Sequence, residues 1–427
     1  MNKENKIVPE LRFPEFKNAK PWSETALKNL AERIVKKNTG SLITKVFTNS
    51  AIDGIVDQRE YFDKDIADKN NLENYYVVEP GDYVYNPRIS VVAPVGPISK
   101  NNLNITGAMS PLYTVFRFNE KENSFYEYYF KSNHWYESIR KVANTGARYD
   151  RISITDSILM EIPVLYPELK EQQKIAFCLY TLDKLMDVQK EKLQVLKEYK
   201  KGLMQNLFPQ VGQKTPKLRF DEFRNSSDWK EIPFNKAFQR VTRKNVANNK
   251  NILTISAQKG LVNQEDFFSK NIASRDVSNY YLIKKDEFAY NKSYSKDYPM
   301  GAIKKLNKYE LGVVSTLYIC FKCQQGFSHE YFEHFFESGV FNEEIERIAQ
   351  EGARNHGLLN VSVTDFFETL FVKVPPSKAE EQKISSCILT IDDLIVAQSD
   401  KVEQLELHKK GLMQGLFPKN KVKNEQY

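Results

Sequence analysis

The chain has 427 residues, 41% of them apolar and 12% aromatic, which is enough to build several cores and too much for a predominantly disordered protein. Its 62 Lys and Arg against 55 Asp and Glu leave a net charge of +7, which permits a nucleic-acid partner without requiring one. Four scattered Cys exclude a disulfide framework, Met1–Lys6 has no apolar core for a signal peptide, and no apolar run approaches the ~20 residues that cross a bilayer; a soluble cytoplasmic protein of several domains is expected.

In chain order, the first landmark is Pro9-Glu-Leu-Arg-Phe-Pro-Glu-Phe16, followed by Trp22. It recurs as Pro216-Lys-Leu-Arg-Phe-Asp-Glu-Phe223, followed by Trp229, at an offset of 207. Gln173-Lys-Ile175, Cys178, Asp183 and Lys200-Lys-Gly-Leu-Met-Gln205 return 209 residues later as Gln382-Lys-Ile384, Cys387, Asp392 and Lys409-Lys-Gly-Leu-Met-Gln414. Both copies close on Leu-Phe-Pro, at 207–209 and 416–418. Between these frames only fragments match. Tyr85-Asn86, Gly96 and Ser110-x-Leu-Tyr113 answer Tyr290-Asn291, Gly301 and Ser315-x-Leu-Tyr318 at an offset of 205, and Gly146-Ala-Arg148 answers Gly352-Ala-Arg354 at 206. The chain is written twice, with each middle filled differently.

The repeat predicts an α+β fold made of two globules in tandem, joined by two long helices that pair as an antiparallel coiled coil. The expected layout is a repeat frame at 1–19, a first globule at 20–165, a central helix at 166–209 and a linker with the second frame at 210–226. A second globule at 227–373, a C-terminal helix at 374–418 and a polar tail at 419–427 complete it. In the globules, Tyr75–Val78, Tyr113–Phe118 and Tyr318–Phe321 read as short strands, and Phe125–Val142 and Glu330–Ala349 as helices.

The helices declare themselves by a heptad seam. Ile175, Leu179, Leu182, Met186, Gln189, Leu193, Leu196, Lys200, Leu203 and Leu207 alternate spacings of four and three. Ile384, Ile388, Ile391, Ile395, Gln398, Val402, Leu405, Lys409, Leu412 and Leu416 repeat them. Ser377-x-x-Glu380 has the form of a capping box, and Pro209 and Pro418 stop the helices. Each helix would be roughly 57 Å long. An antiparallel pair avoids sending residues 209–228 back along the rod, and it places Gln189 and Gln398 where each can satisfy the other. Such a helix is most often a plain dimerisation rod. Cys178, Leu185, Tyr199, Cys387 and Leu394 widen the stripe beyond a two-helix seam, which suggests docking area for partner helices.

Charge is uneven. Residues 232–264 hold six bases and no acid, and 33–52 hold four bases and no acid, at corresponding places in the two globules. A basic run is commonly only a solvated face, but its repetition points to phosphate contact. On this reading the DNA-binding candidates are Lys36, Lys37, Asn86, Arg88, Arg148 and Arg151 in the first globule. In the second they are Gln239, Arg240, Arg243, Lys244, Asn291, Lys292, Lys296 and Arg354. Arg suits the edge of guanine, and Asn and Gln suit adenine.

Catalytic signatures are missing. There is no phosphate-binding Gly-rich loop, no dinucleotide fingerprint, no Asn-Pro-Pro-aromatic tetrapeptide, no His-Glu-x-x-His and no Gly-x-Ser-x-Gly. Cys320, Cys323, His329 and His334 have zinc-like types, but the loop between the pairs is too short, and the first globule carries Val115, Phe118, Ser124 and Tyr129 instead. No metal site and no catalytic centre are expected.

Glu171-Gln-Gln-Lys-Ile175 with Asp183, answered by Glu380-Glu-Gln-Lys-Ile384 with Asp392, and the repeated Lys-Lys-Gly-Leu-Met-Gln-x-Leu-Phe-Pro ending resemble the specificity subunit of type I restriction-modification enzymes from Pro9 to Pro418. The resemblance implies that each globule reads one half of a split, asymmetric site in double-stranded DNA. The helices would set the spacing and carry two methyltransferase (modification) subunits, through which motor-nuclease restriction subunits join. S-adenosylmethionine, ATP and Mg would belong to those partners, with no cofactor on this chain. A stand-alone bipartite DNA-binding regulator and a coiled-coil scaffold are the alternatives that the residues themselves leave open.

Overall fold

The computed structural model describes residues 6–62, 69–143, 150–256, 259–267, 276–295, 298–349 and 357–418. The chain forms two compact units, Met1–Gln189 with Lys401–Tyr427, and Lys190–Asp400. Each unit is one globule together with part of both long helices, so the division falls within the helices and not at the globule borders.

In the first unit, strands Ala31–Arg33, Thr114–Phe118, Tyr83–Tyr85 and Ile98–Lys100 form an antiparallel sheet in that order. A second sheet runs Gly54–Asp57, Val46–Ser50, Gly107–Met109 and Tyr76–Val78, and its middle pair is parallel. The second unit repeats the first sheet as Phe238–Arg240, Ile319–Cys323, Phe288–Asn291 and Ala302–Lys305. Its other strands form separate pairs, Leu253–Ser256 with Gly260–Asn263, Tyr281–Lys284 with Leu311–Val314 and Lys230–Pro233 with Phe371–Val374. The single helices expected at Phe125–Val142 and Glu330–Ala349 are each two: Ser124–Lys131 and Tyr136–Val142, then His329–Glu337 and Asn342–Ile348. The breaks have local causes. Ser132 Oγ donates to the Tyr129 carbonyl at 2.6 Å, and Gly339 takes a φ of +79°.

The aromatic residues concentrate where these helices cover the sheets. Tyr83, Phe116, Phe125, Phe130 and Trp135 fill one core, and Phe234, Phe238, Phe288, Phe321 and Phe336 the other. Phe288 stacks on Phe321 with centroids 5.4 Å apart. Edge-to-face and offset contacts of this kind add about 0.5–1.5 kcal/mol per pair beyond burial.

The matched fragments are structural latches. Tyr85 Oη donates to the Val95 carbonyl at 2.9 Å, and Tyr290 Oη donates to that of Met300 at 2.8 Å. Gly96 (φ +79°) and Gly301 (φ +75°) follow directly, and a Cβ there would stand 2.0 Å from the Asn86 carbonyl oxygen and 2.3 Å from that of Asn291. Only glycine fits such a left-handed, crowded turn.

The frame motifs clamp the starts of the long helices, Leu169–Leu207 and Lys378–Leu416. Arg12 donates from Nε and Nη2 to both Glu171 oxygens at 2.7 Å, and Arg219 grips Glu380 in the same way at 2.8 and 2.9 Å. Ser377 Oγ accepts from the Glu380 N–H at 3.3 Å as a cap should. The Glu380 carboxylate, however, holds Arg219 and Trp229 Nε1 and does not close a capping box. Within the first unit, Ile175 and Leu179 share a core with Leu412 and Leu416, and Lys409 pairs with Asp183. Within the second, Met204 and Leu207 share one with Ile384 and Ile388, and Lys200 donates to Asp392 at 2.6 Å. In each unit the numbers rise on one helix as they fall on the other, so the segments run antiparallel. The seam side chains are buried or half-buried, Gln398 among the buried ones, whereas Leu185, Tyr199 and Leu394 stand exposed and Cys178 and Cys387 are half-covered. Among the described residues, no helix is long and apolar enough to cross a membrane.

Candidate nucleic-acid interface

The sheet that both units share places its sequence-derived candidates at one end. In the first unit Tyr85 lies opposite Thr114, so the chain leaving Tyr85 toward Arg88 emerges beside the turn Ser110–Tyr113 that feeds the next strand. Tyr76 lies opposite Met109, and Lys37 bridges to Tyr76, which brings the 33–38 segment to the same end. The second unit repeats this arrangement. Tyr290 lies opposite Ile319, Tyr281 opposite Val314, and Lys244 bridges to Tyr281.

Several candidates turn out to hold the fold. Asn86 is buried at 8% exposure; its amide donates to the Asn49 carbonyl at 2.9 Å, and its Oδ1 accepts from the Arg88 N–H at 3.0 Å. It cannot present an amide to adenine, which corrects the sequence reading. Asn291 caps Ser293 N–H at 3.0 Å in the corresponding turn. Arg243 is held in an ion pair: its two Nη atoms take both oxygens of buried Glu287 at 3.2 and 3.0 Å. Lys37 Nζ donates to the Asn74 carbonyl at 2.7 Å and lies 3.8 Å from the Tyr76 ring centre. Lys244 does likewise with Asn279 at 2.7 Å and Tyr281 at 4.5 Å. Both ammonium groups are anchored, yet both residues stay exposed.

Other candidates share carboxylates. Lys36 pairs with Glu79 at 3.2 Å, and that hydrogen bond, with Arg117 beside it, holds the Glu79 carboxyl below its ordinary pKa. Arg88 and Arg151 flank Asp150 at 3.7 and 3.8 Å and face each other across an isolated antiparallel bridge. One acid between two guanidinium groups leaves a local excess of positive charge.

The second unit is the more open of the two. Gln239 and Arg240 are exposed on the edge strand, and Lys292 lies one residue past the end of its strand. Arg33, the counterpart of Arg240, is paired with Asp156. The residue corresponding to Asp156 is Val363, and among the described residues no carboxylate pairs with Arg240. Sequence reasoning missed this contrast, although the Asp-to-Val difference at an offset of 207 carries it. Arg148, Lys296 and Arg354 lie outside the described residues.

No cluster of three or more metal-ligating side chains occurs among the described residues. Burial pushes the Cys320 and Cys323 thiols up to about 12 and the His334 imidazole down to about 4, which disfavours thiolate and imidazolium alike.

Residues 21–198 match the family model described as type I restriction modification DNA specificity domain. None of the curated proteins matches the sequence. Among solved structures, the chain is similar to one described under "complex assembly and conformational transition of the type I R-M system". Identity there is 12%, with 93% of this chain and 97% of that one covered at a TM-score of 0.55. It is also similar to a type I restriction-modification S subunit from M. genitalium, at 15% identity and a TM-score of 0.51, over 97% of this chain and all of the other.

Proposed function

We infer that this chain, whose residues 21–198 match the family model of type I restriction modification DNA specificity domains, is the specificity subunit of such a system. It selects DNA and catalyses nothing itself. The observation that carries this is the coincidence of the domain match with a two-copy chain whose fold is similar to an S subunit over nearly its entire length.

On this reading each globule recognises one half of a split site. The shared sheet end supplies positive charge to phosphates, through Arg88 and Arg151 in one unit and Arg240 and Lys292 in the other. The halves differ because the surface side chains differ while the latches beneath are the same. Two methyltransferase subunits dock on the helices, and the exposed Phe177, Tyr180 and Leu185, and separately Leu389 and Leu394, supply apolar area for them. Motor-nuclease subunits join through those, and S-adenosylmethionine, ATP and Mg are bound by the partners in the cytoplasm.

The test is a hybrid in which residues 20–165 are replaced by the corresponding globule of another specificity subunit. Sequencing the methylated sites should show one half of the target changed and the other retained. A change in both halves, or in neither, overturns the reading.

A further inference from the structure

The turns Ser110–Tyr113 and Ser315–Tyr318 keep Ser-x-Leu-Tyr in globules that diverge almost everywhere else. Two of the three shared residues have a use inside the fold. The Ser carbonyl accepts from the Tyr N–H at 3.1 Å in both units, and the Ser Oγ accepts from the Leu N–H at 3.4 and 3.2 Å. The Tyr rings pack against the apolar clusters of Phe47 and Met109 in one unit and of Val241 and Leu253 in the other. Leucine has no such use. Leu112 is 60% exposed and Leu317 is 64% exposed. One exposed leucine needs no explanation, but the same one at the tip of the same locked turn twice is not required by folding.

Its surroundings give it a purpose. Each tip lies at the sheet end where an anchored lysine (Lys37, Lys244) and a strand-exit base (Arg88, Lys292) also emerge. A rigid apolar tip flanked by fixed cations has the chemistry of a minor-groove wedge: the cations hold the phosphates while the side chain parts a base step. We propose that Leu112 and Leu317 are such wedges, each opening one base step in its half of the site. The inference rests on the DNA-reading function above and extends it. Because one side chain serves two globules with different targets, its contact is with DNA shape and not with base identity.

The chain copurified with its modification subunits, without S-adenosylmethionine, is bound to a duplex carrying both mapped half-sites. Thymines are placed at successive steps flanking the specified bases, and permanganate, which oxidises unstacked thymine, is the probe. The wild type should show one hyperreactive step in each half. Leu112→Ser should return the step in one half to the reactivity of free duplex, and Leu317→Ser the step in the other. The Leu→Met variants should keep both steps, and the methylated sequence should stay the same throughout. An unchanged permanganate pattern in the Ser variants, or an altered base preference, overturns the wedge. A wild type that does not protect its mapped site at all overturns the DNA-reading function first, so the two failures are distinguishable.

Discussion

Arg243 forks around Glu287, with its two terminal nitrogens 3.2 and 3.0 Å from the two carboxylate oxygens. Glu287 Oε2 also accepts from the Lys284 N–H at 2.8 Å, closing the turn between two strands. Asp82 closes the corresponding turn in the first unit, accepting from the Glu79 N–H at 2.7 Å, but its guanidinium comes from Arg117 on a different strand. The fold needs a neutralised carboxylate there and accepts the cation from either direction. Arg243→Ala should therefore act on stability. Glu287 is 7% exposed and Arg243 35%, so partial solvent screening reduces the effect to about 2 kcal/mol. Thermal unfolding of Arg243→Ala, Glu287→Gln and the double variant should show strong coupling, the double variant being little worse than Arg243→Ala alone.

Phosphate contact should instead be found at Arg240 and Lys292. Replacing each by Ala should weaken binding to every duplex alike and make the plot of log K against log salt shallower by about 0.9 per lost phosphate contact. Titrations at several salt concentrations measure this slope. Lys236→Ala, elsewhere on the same basic run, should leave it unchanged.

Gly96→Ala and Gly301→Ala should each destabilise the chain by well over the ~1 kcal/mol that strain at a positive φ imposes, because a Cβ there also meets a backbone oxygen. Gly81→Ala (φ +89°), where a Cβ would meet nothing within 4 Å, provides the control for backbone strain alone. The comparison is made by denaturant unfolding.

His334 sets an acid limit. Burial, with Lys200 nearby, lowers its folded pKa to about 4, while Asp392 opposes the shift. The unfolded chain takes up this proton near the ordinary imidazole value of ~6.5, so between pH 6.5 and 4 the unfolded state binds more protons and stability falls as pH falls. The full contribution is about 3 kcal/mol, present above pH 6.5 and lost towards pH 4. His334→Gln should flatten the decline in melting temperature across that window relative to the wild type.

The paired helices and the doubled frame were legible because heptad spacing and exact repetition are one-dimensional signals. The DNA surface was not. Counting bases in 232–264 cannot show that Arg243 faces a carboxylate 44 residues away, nor that the amide of Asn86 is used by Asn49. Arg12 and Glu171 each belong to a motif that recurs in the sequence, but their pairing across 159 residues is a tertiary fact. Of the fragment Tyr85-Asn86 with Gly96, only Asn86 is a DNA-contact candidate by sequence, yet all three residues serve one hairpin latch. Leu112 and Leu317 are the exposed exceptions.

The Leu11 N–H donates to the Gly415 carbonyl at 2.8 Å, as the Leu218 N–H does to that of Asn206 at 2.9 Å. These are the same joint made twice. At the second, twelve residues of continuous chain tether donor to acceptor, so reclosure after a local opening is a short search. At the first there is no such tether, and the same bond closes a loop of about the whole chain length. A single hydrogen-bond geometry thus recloses over two very different chain separations. Amide exchange should run faster at Leu11 than at Leu218, and fraying under force or denaturant should begin at the joint between segments distant in sequence.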